Sequence, residues 1–376
     1  IGSGLTGLTI AKKISQETDN ILILEAQELS GGDNRAALLG NQIINNGLRF
    51  YPDTEASRKA LTFLEDLLGK KLSSISSENN IETFESSGFK RFVGFGENSP
   101  DFYEQLSYFL SLKELNLELN PHHWTQELAE SLQTKIQKKS IVTKFGFEGL
   151  ADQDSTNAQP KLTHVIVNGS KHIYAHNFIF AGAAKDLGLL LPDEVLPARA
   201  KAKLKKSLAY QGVCLDLFHT QSSDKSNIFL LNGTTDDDIG PCIGRFLPAS
   251  ESIPQTQISQ WMSFIDSEVA EDTENIGLVL KKMKRQIKRA FPELLASVKK
   301  ERIFVTPALS GADLKLNANG TLPKVSNLWI ASNQVSPYQN LLGSLMQARF
   351  VLSSLGFVSD VEALEPTQTG EYNAEV

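Results

Sequence analysis

The sequence predicts an α/β chain built around a Rossmann-like layer, and three observations carry that prediction. The first is the turn Gly2-Ser3-Gly4-Leu5-Thr6-Gly7. The second is the series Leu5, Leu8, Ile10, Ala11 and Ile14, which recurs at roughly helical spacing directly after it. The third is Glu25, at the end of the uninterrupted apolar run from Ile21 to Leu24, as a strand buried on both faces requires. Strand, glycine turn, helix, strand and carboxylate in this order form a dinucleotide-binding unit.

Each part has a physical reason. Gly2 makes the turn, Gly4 lets the backbone approach a pyrophosphate, and Gly7 lets the helix lie close on the sheet. The N–H groups at the start of the helix from Leu5 to Ile14, those of Leu5 and Thr6 included, face the phosphate charge. Glu25 accepts from a ribose, which disfavours a ribose bearing a 2′-phosphate. A first strand of about five residues is needed ahead of the turn, so the sequence is expected to be clipped at its N-terminus, with any targeting segment in the missing part.

The composition, 41% hydrophobic and 22% charged over 376 residues, is that of a globular chain long enough for two cores. A net charge of −7 argues against nucleic-acid binding. Two basic runs qualify this, one from Lys201 to Lys206 and one from Lys281 to Arg289. In the second, Leu280, Met283, Ile287 and Phe291 recur at spacings of three and four, so a surface helix with its apolar stripe inward is expected; peripheral membrane contact is the alternative. No apolar run approaches the ~18 residues that span a bilayer. Cys214 and Cys242 form no CxxC pair, and no histidine stands in a triad or HExxH arrangement, so neither a metal site nor hydrolytic chemistry has a candidate. The cysteine usage fits a reducing, cytoplasmic location.

Six residues beyond Glu25 stands Gly31-Gly32, followed by Asp33, Asn34 and Arg35. The run from Leu24 to Arg35 resembles the N-terminal fingerprint of the flavin amine oxidase superfamily, which includes protoporphyrinogen oxidases and phytoene desaturases. The resemblance implies FAD, with Glu25 and Ala26 at the ribose, Gly31 and Gly32 beside the pyrophosphate and ribityl chain, and Arg35 nearby. It continues along the chain. The segment from Asn41 to Pro52 is similar to a hairpin that leads to a glycine beside the flavin, which assigns Asn46 and Gly47, and the helix from Ala56 to Leu68 also matches.

A helix from His123 to Lys138 and a strand from Ile141 to Phe145 are expected next, and the resemblance puts Val142 at the adenine. Asn168-Gly169 marks a hairpin between the strands Leu162 to Val167 and His172 to Tyr174. The run from Phe178 to Ala183 resembles the strand that ends near the cofactor, which assigns Ala181 and Gly182. The run from Asn327 to Gln334 resembles the last strand of the family; here the usual acid at the ribityl hydroxyls is an amide, Asn333 or Gln334 depending on alignment, after Ser332. Gly343 and Ser344 then open an apolar helix through Leu355, whose N-terminus the resemblance points at the flavin pyrimidine.

The resemblance implies a discontinuous FAD-binding domain of residues 1–75, 121–190 and 301–357, a mixed-sheet α+β substrate domain of residues 76–120 and 191–300, and a loose tail at 358–376. The segments from Ser73 to Asn80 and from Gln153 to Pro160 are expected to be polar loops, and Gly233 to Gly240 a turn region. The function implied is an FAD-dependent oxidoreductase that takes a hydride from a C–H or C–N centre of a small, apolar substrate to flavin N5. The strand from Gln211 to Leu215 lacks the lysine of family amine oxidases, and Phe304 or Tyr338 is left to face the ring. The alternatives are an FAD-binding protein without turnover and a non-redox flavoenzyme resembling UDP-galactopyranose mutase, which needs an arginine and tyrosine set for a diphosphate, a pattern that Arg199, Tyr210, Arg245 and Arg302 do not form.

Overall fold

The computed structural model describes residues 1–85, 88–95, 101–118, 120–149, 160–207, 210–231, 241–249, 255–306, 311–336 and 340–359. Tyr338, the Gly233 to Gly240 turn, nearly all of the Gln153 to Pro160 loop and the tail beyond residue 359 lie outside the described residues.

Ile23–Leu24 pairs in parallel with Ile136–Gln137, and Phe178–Phe180 pairs in parallel with Val325–Ile330, which Thr321–Leu322 edges. Residues 1 and 2 join these two small sheets into one layer, because Gly2 N donates to the Leu24 carbonyl and Ala181 N to the Ile1 carbonyl, each at 2.8 Å. Residues 1 and 2 therefore run through the middle of the layer.

Helices cover one face of this layer. Leu5–Ile14 forms as expected, with Lys12 and Lys13 in its last turn where the macrodipole favours cations. Glu55–Leu68 is capped by the Thr54 hydroxyl and closed by Gly69 in the left-handed conformation. Pro121–Ser131 and Asn340–Ser354 complete the face, and Leu5, Leu8, Leu64, Trp124, Leu128 and Leu345 meet in its core. The three-stranded meander Val142–Glu148, Lys161–Val167 and Lys171–Tyr174 covers the opposite face through Phe145, Leu162 and Val165.

A seven-stranded mixed sheet forms the second body, in the order Val298–Val305, Tyr210–His219, Gln257–Asp266, Cys242–Phe246, Ile228–Leu231, Ile81–Glu85 and Gly88–Arg91. The helix Thr273–Ala290 packs on one face, where Met283 and Ile287 meet Val213, Leu215, Leu217 and Trp261. This is the inward stripe that the spacing predicted. Alternation turns Cys214, Asp216 and Phe218 to the other face, Cys214 toward Leu48 and Phe50 and Phe218 toward Leu39 and Ile44. Basic side chains of both runs pair with acids, Lys201 with Asp193, Lys203 with Asp313 and Lys284 with Glu301.

Several expectations are revised. Ser74–Ser77 is a strand paired with Glu114–Leu117, because a partner 40 residues away supplies the hydrogen bonds that a serine-rich composition does not advertise. The helix expected from His123 to Lys138 stops at Ser131, since Ile136–Gln137 is drawn into the central layer. The helix expected from Gly343 begins at Asn340. The strand Val298–Val305, which a boundary at 301 divides, runs whole in the large sheet, and Leu191, Val195, Leu196 and Leu204 pack with the meander rather than with that sheet. No helix among the described residues is long and apolar enough to cross a membrane.

Cys214 and Cys242 lie on opposite faces of the large sheet, both fully buried. Burial pushes each thiol up to about 12. A thiol reagent at pH 8 is therefore expected to count no reactive cysteine in the native protein and both after denaturation; a reactive thiol before unfolding would contradict the burial.

Candidate functional site

The predicted site residues converge at the carboxyl ends of the parallel strands, where open α/β layers bind ligands. The first glycine turn emerges between Leu24 and Ala181. Gly7 lies so close to it that a Cβ there would stand 2.1 Å from the Gly2 carbonyl oxygen, so only glycine allows the helix to reach the turn. Gly4 is the N-cap of the helix Leu5–Ile14; no side chain caps that end and no acid stands in its first turn, so its leading N–H groups are left for an anion.

The second glycine turn is fastened to the first. Gly31 N donates to the Ser3 carbonyl at 2.8 Å, Gly31 forms a bridge with Gly4, and a Cβ on Gly32 would lie 3.2 Å from Gly4 Cα. Glu25 locks this arrangement from below. Its Oε2 accepts from Ser3 N at 2.8 Å and from Ser3 Oγ at 2.6 Å, and its Oε1 accepts from Gln27 N at 2.8 Å. A carboxylate offers about four acceptor positions, so Oε1 keeps capacity for a further donor. Ser3, which ties Glu25 to the second glycine turn, is a residue of this arrangement that the sequence reasoning missed; the motif leaves its position unspecified.

The remaining positions ring this centre. Ala26 follows Glu25 and is exposed. Ser140 N donates to the Glu25 carbonyl at 2.8 Å, which brings Val142, two residues on, to the same end of the layer. Ala181 and Gly182 follow Phe180, whose carbonyl accepts from Ala331 N at 2.7 Å and so sets Ser332 and Asn333 alongside. The two amides left open by the sequence part company here: Gln334 Oε1 accepts from Ala184 N at 2.7 Å, a structural contact, whereas Asn333 stands half-buried beside it. Gly343 and Ser344 are buried one turn before Gln347, whose Nε2 donates to the Ile330 carbonyl at 3.0 Å.

Arg35 does not reach outward through its Nε, which donates to the Gly32 carbonyl at 3.1 Å. Arg49 is the longer arm: its Nη2 donates to the carbonyls of Asp33 at 3.3 Å and Asn46 at 3.2 Å. Burial raises the Asp33 carboxyl, against the pull of Arg49 and Arg35. Gly47, at φ +82°, turns toward the large sheet, where a Cβ would meet Cys214 Sγ at 2.8 Å and Phe304 at 3.4 Å. Phe304 is thus brought to the predicted site. The wall around it is apolar, formed by Leu48, Cys214, Ile243, Met262 and Phe264.

No family model matches the chain, and no curated protein matches it at a significant level. Solved structures do. A double mutant of putrescine oxidase, from a redesign of its cofactor binding, aligns over 94% of this chain and 98% of its own at a TM-score of 0.63 and 11% identity. An oxidoreductase from Methanosarcina mazei aligns over 94% and 98% at 0.67 and 13%, and cyclohexylamine oxidase from Brevibacterium oxydans over 94% and 97% at 0.63 and 12%. The chain has the fold of these oxidases. At the level of fold, the resemblance to the flavin amine oxidase superfamily is borne out.

The two loop glycines give contrasting expectations. Gly7→Ala must displace the Gly2 carbonyl and should lower stability by about 1–3 kcal/mol. Gly4 has φ −72° and only Gly32 Cα within 4.0 Å of a Cβ, so in Gly4→Ala the ~0.4–1 kcal/mol gained through the unfolded chain offsets the poorer N-cap and stability should stay within ~0.5 kcal/mol of the wild type. Urea midpoints of the two variants check the pair; equal losses would mean that the loop is not packed as described.

Proposed function

We propose that this chain is an FAD-dependent oxidoreductase that removes a hydride from a C–H or C–N centre of a small apolar substrate. The observation that carries the reading is the pair of glycine turns fastened backbone to backbone at an uncapped helix N-terminus, with Gly4 open in front. The residues present fit the cofactor. Leu5 and Thr6 N–H groups would take the pyrophosphate, Glu25 Oε1 the ribose, Gly31 and Gly32 the ribityl side, and Asn333 a ribityl hydroxyl. Bound there, FAD supplies a hydride acceptor at N5.

What the chain's own residues do follows from the wall. Phe304 is half-buried on a wall backed by the buried Leu48, Cys214, Met262 and Phe264, so a substrate reaching it would be oriented by apolar contact. Cys214, with its thiol held at about 12, supplies neither a base nor a nucleophile near neutral pH. With FAD bound, the central layer would hold the nucleotide and the large sheet would stand on the flavin side, the two bodies then serving as a cofactor unit and a substrate unit. The mutase-like alternative gains no diphosphate set from its arginines, because Arg245 is bound to Glu114 at 2.9 Å and Arg302 to Asp216 at 2.9 Å.

The purified protein should show flavin bands that bleach under anaerobic dithionite and return in air; a colourless protein that also fails to take up added FAD would refute the assignment. Glu25→Ala should weaken FAD by the loss of charge-assisted hydrogen bonds, each of order 1.5–3 kcal/mol. Titration with an affinity equal to the wild type would remove Glu25 from the ribose.

A further inference from the structure

The face of the large sheet toward the site carries a buried charged row that the reaction does not use. Asp216, at 0% exposure, accepts from Arg302 Nη1 at 2.9 Å and from Gln260 Nε2 at 2.9 Å. The same two donors also grip the loop that ends in Gly47: Gln260 Nε2 reaches the Asn45 carbonyl at 3.1 Å, and Arg302 Nη2 donates to Asn46 Oδ1. On its far side the loop is held by Arg49, which spans the carbonyls of Asn46 and Asp33. A continuous path therefore runs from the second glycine turn through the loop into the large sheet. Arg302 also lies 5.5 Å from the Phe304 ring centroid, on the strand that brings Phe304 to Gly47.

An arginine has only donors, so the Asn46 atom facing it is the oxygen and the NH2 group is turned away. Asn46 thereby becomes a fixed donor immediately before Gly47. We propose that Arg302, held in place by Asp216, is a positioning residue that sets the orientation of the Asn46 amide and presses Gly47 against Cys214 and Phe304. The cofactor consequence rests on the FAD reading of the site; the ordering of the loop does not. Charge balance supports the assignment, since Arg302 and Asp216 neutralise each other inside the sheet and the loop supplies only neutral acceptors to them.

The test uses the full chain and the double variant Arg302→Gln with Asp216→Asn, which leaves no buried charge unpaired, alongside Arg302→Lys. Amide hydrogen exchange in the double variant should rise about tenfold over residues 44–50 while residues 210–219 and 257–266 keep wild-type protection. Arg302→Lys should fall between the two. With FAD added, the double variant should shift the visible flavin spectrum and the midpoint potential, which a merely structural pair would leave in place. Wild-type protection over residues 44–50 in the double variant overturns the proposal, and so does an exchange increase with an unmoved spectrum and potential. If the wild type takes up no FAD, the cofactor reading falls and takes the cofactor half of the proposal with it; the exchange result still decides the loop.

Discussion

Everything at the site depends on two stretches of backbone approaching each other without side chains between them. Ser3 and Gly4 on one turn and Gly31 and Gly32 on the other touch through main-chain atoms, and Glu25 fixes the contact by accepting from Ser3 twice. Because the helix Leu5–Ile14 starts at this contact, its unpaired N–H groups are delivered to a fixed place. The central layer then has one geometric task, which is to bring Leu24, residues 1 and 2, Phe180 and Ile330 to the same level beneath it.

The large sheet solves a different problem. Its central strands, buried on both faces, pack apolar residues against the helix Thr273–Ala290 and a mixture of apolar and charged residues against the loop from Asn45 to Phe50. The charges are tolerated because each is hydrogen-bonded: Asp216 accepts from Arg302 and Gln260 within the row, and Arg245 donates to Glu114 of the neighbouring strand Glu114–Leu117. Burial still raises the Asp216 carboxyl, with the bonds from Gln260 and Arg302 opposing the shift. Apolar wall and polar row sit side by side on one face.

How much was legible in the sequence follows from the range of each interaction. The helices Leu5–Ile14 and Glu55–Leu68 and the stripe of Thr273–Ala290 were readable because periodicity and caps are local. The glycine turns were readable because their spacing encodes a backbone requirement. Arg302, Asp216 and Gln260 were not, since the partners joined by Arg302 and Gln260 lie 86, 256, 44 and 215 residues apart and no local pattern links them. Ser3 was missed for the opposite reason: it sits inside the motif, where the spacing constrains the glycines and leaves its neighbour unspecified. Ser74–Ser77 became a strand through a partner that only the fold brings near.

A contact between two backbones also sets how far the surrounding sequence can vary. A contact made by main-chain atoms survives the replacement of nearly every neighbouring residue, provided that a few positions stay without a side chain. Mutational drift is then free to rewrite the surfaces while the scaffold is kept, and solved structures that share it over 94% of the chain are 11–13% identical to it. At that distance the likeness lies in the shape of the backbone and hardly at all in the residues.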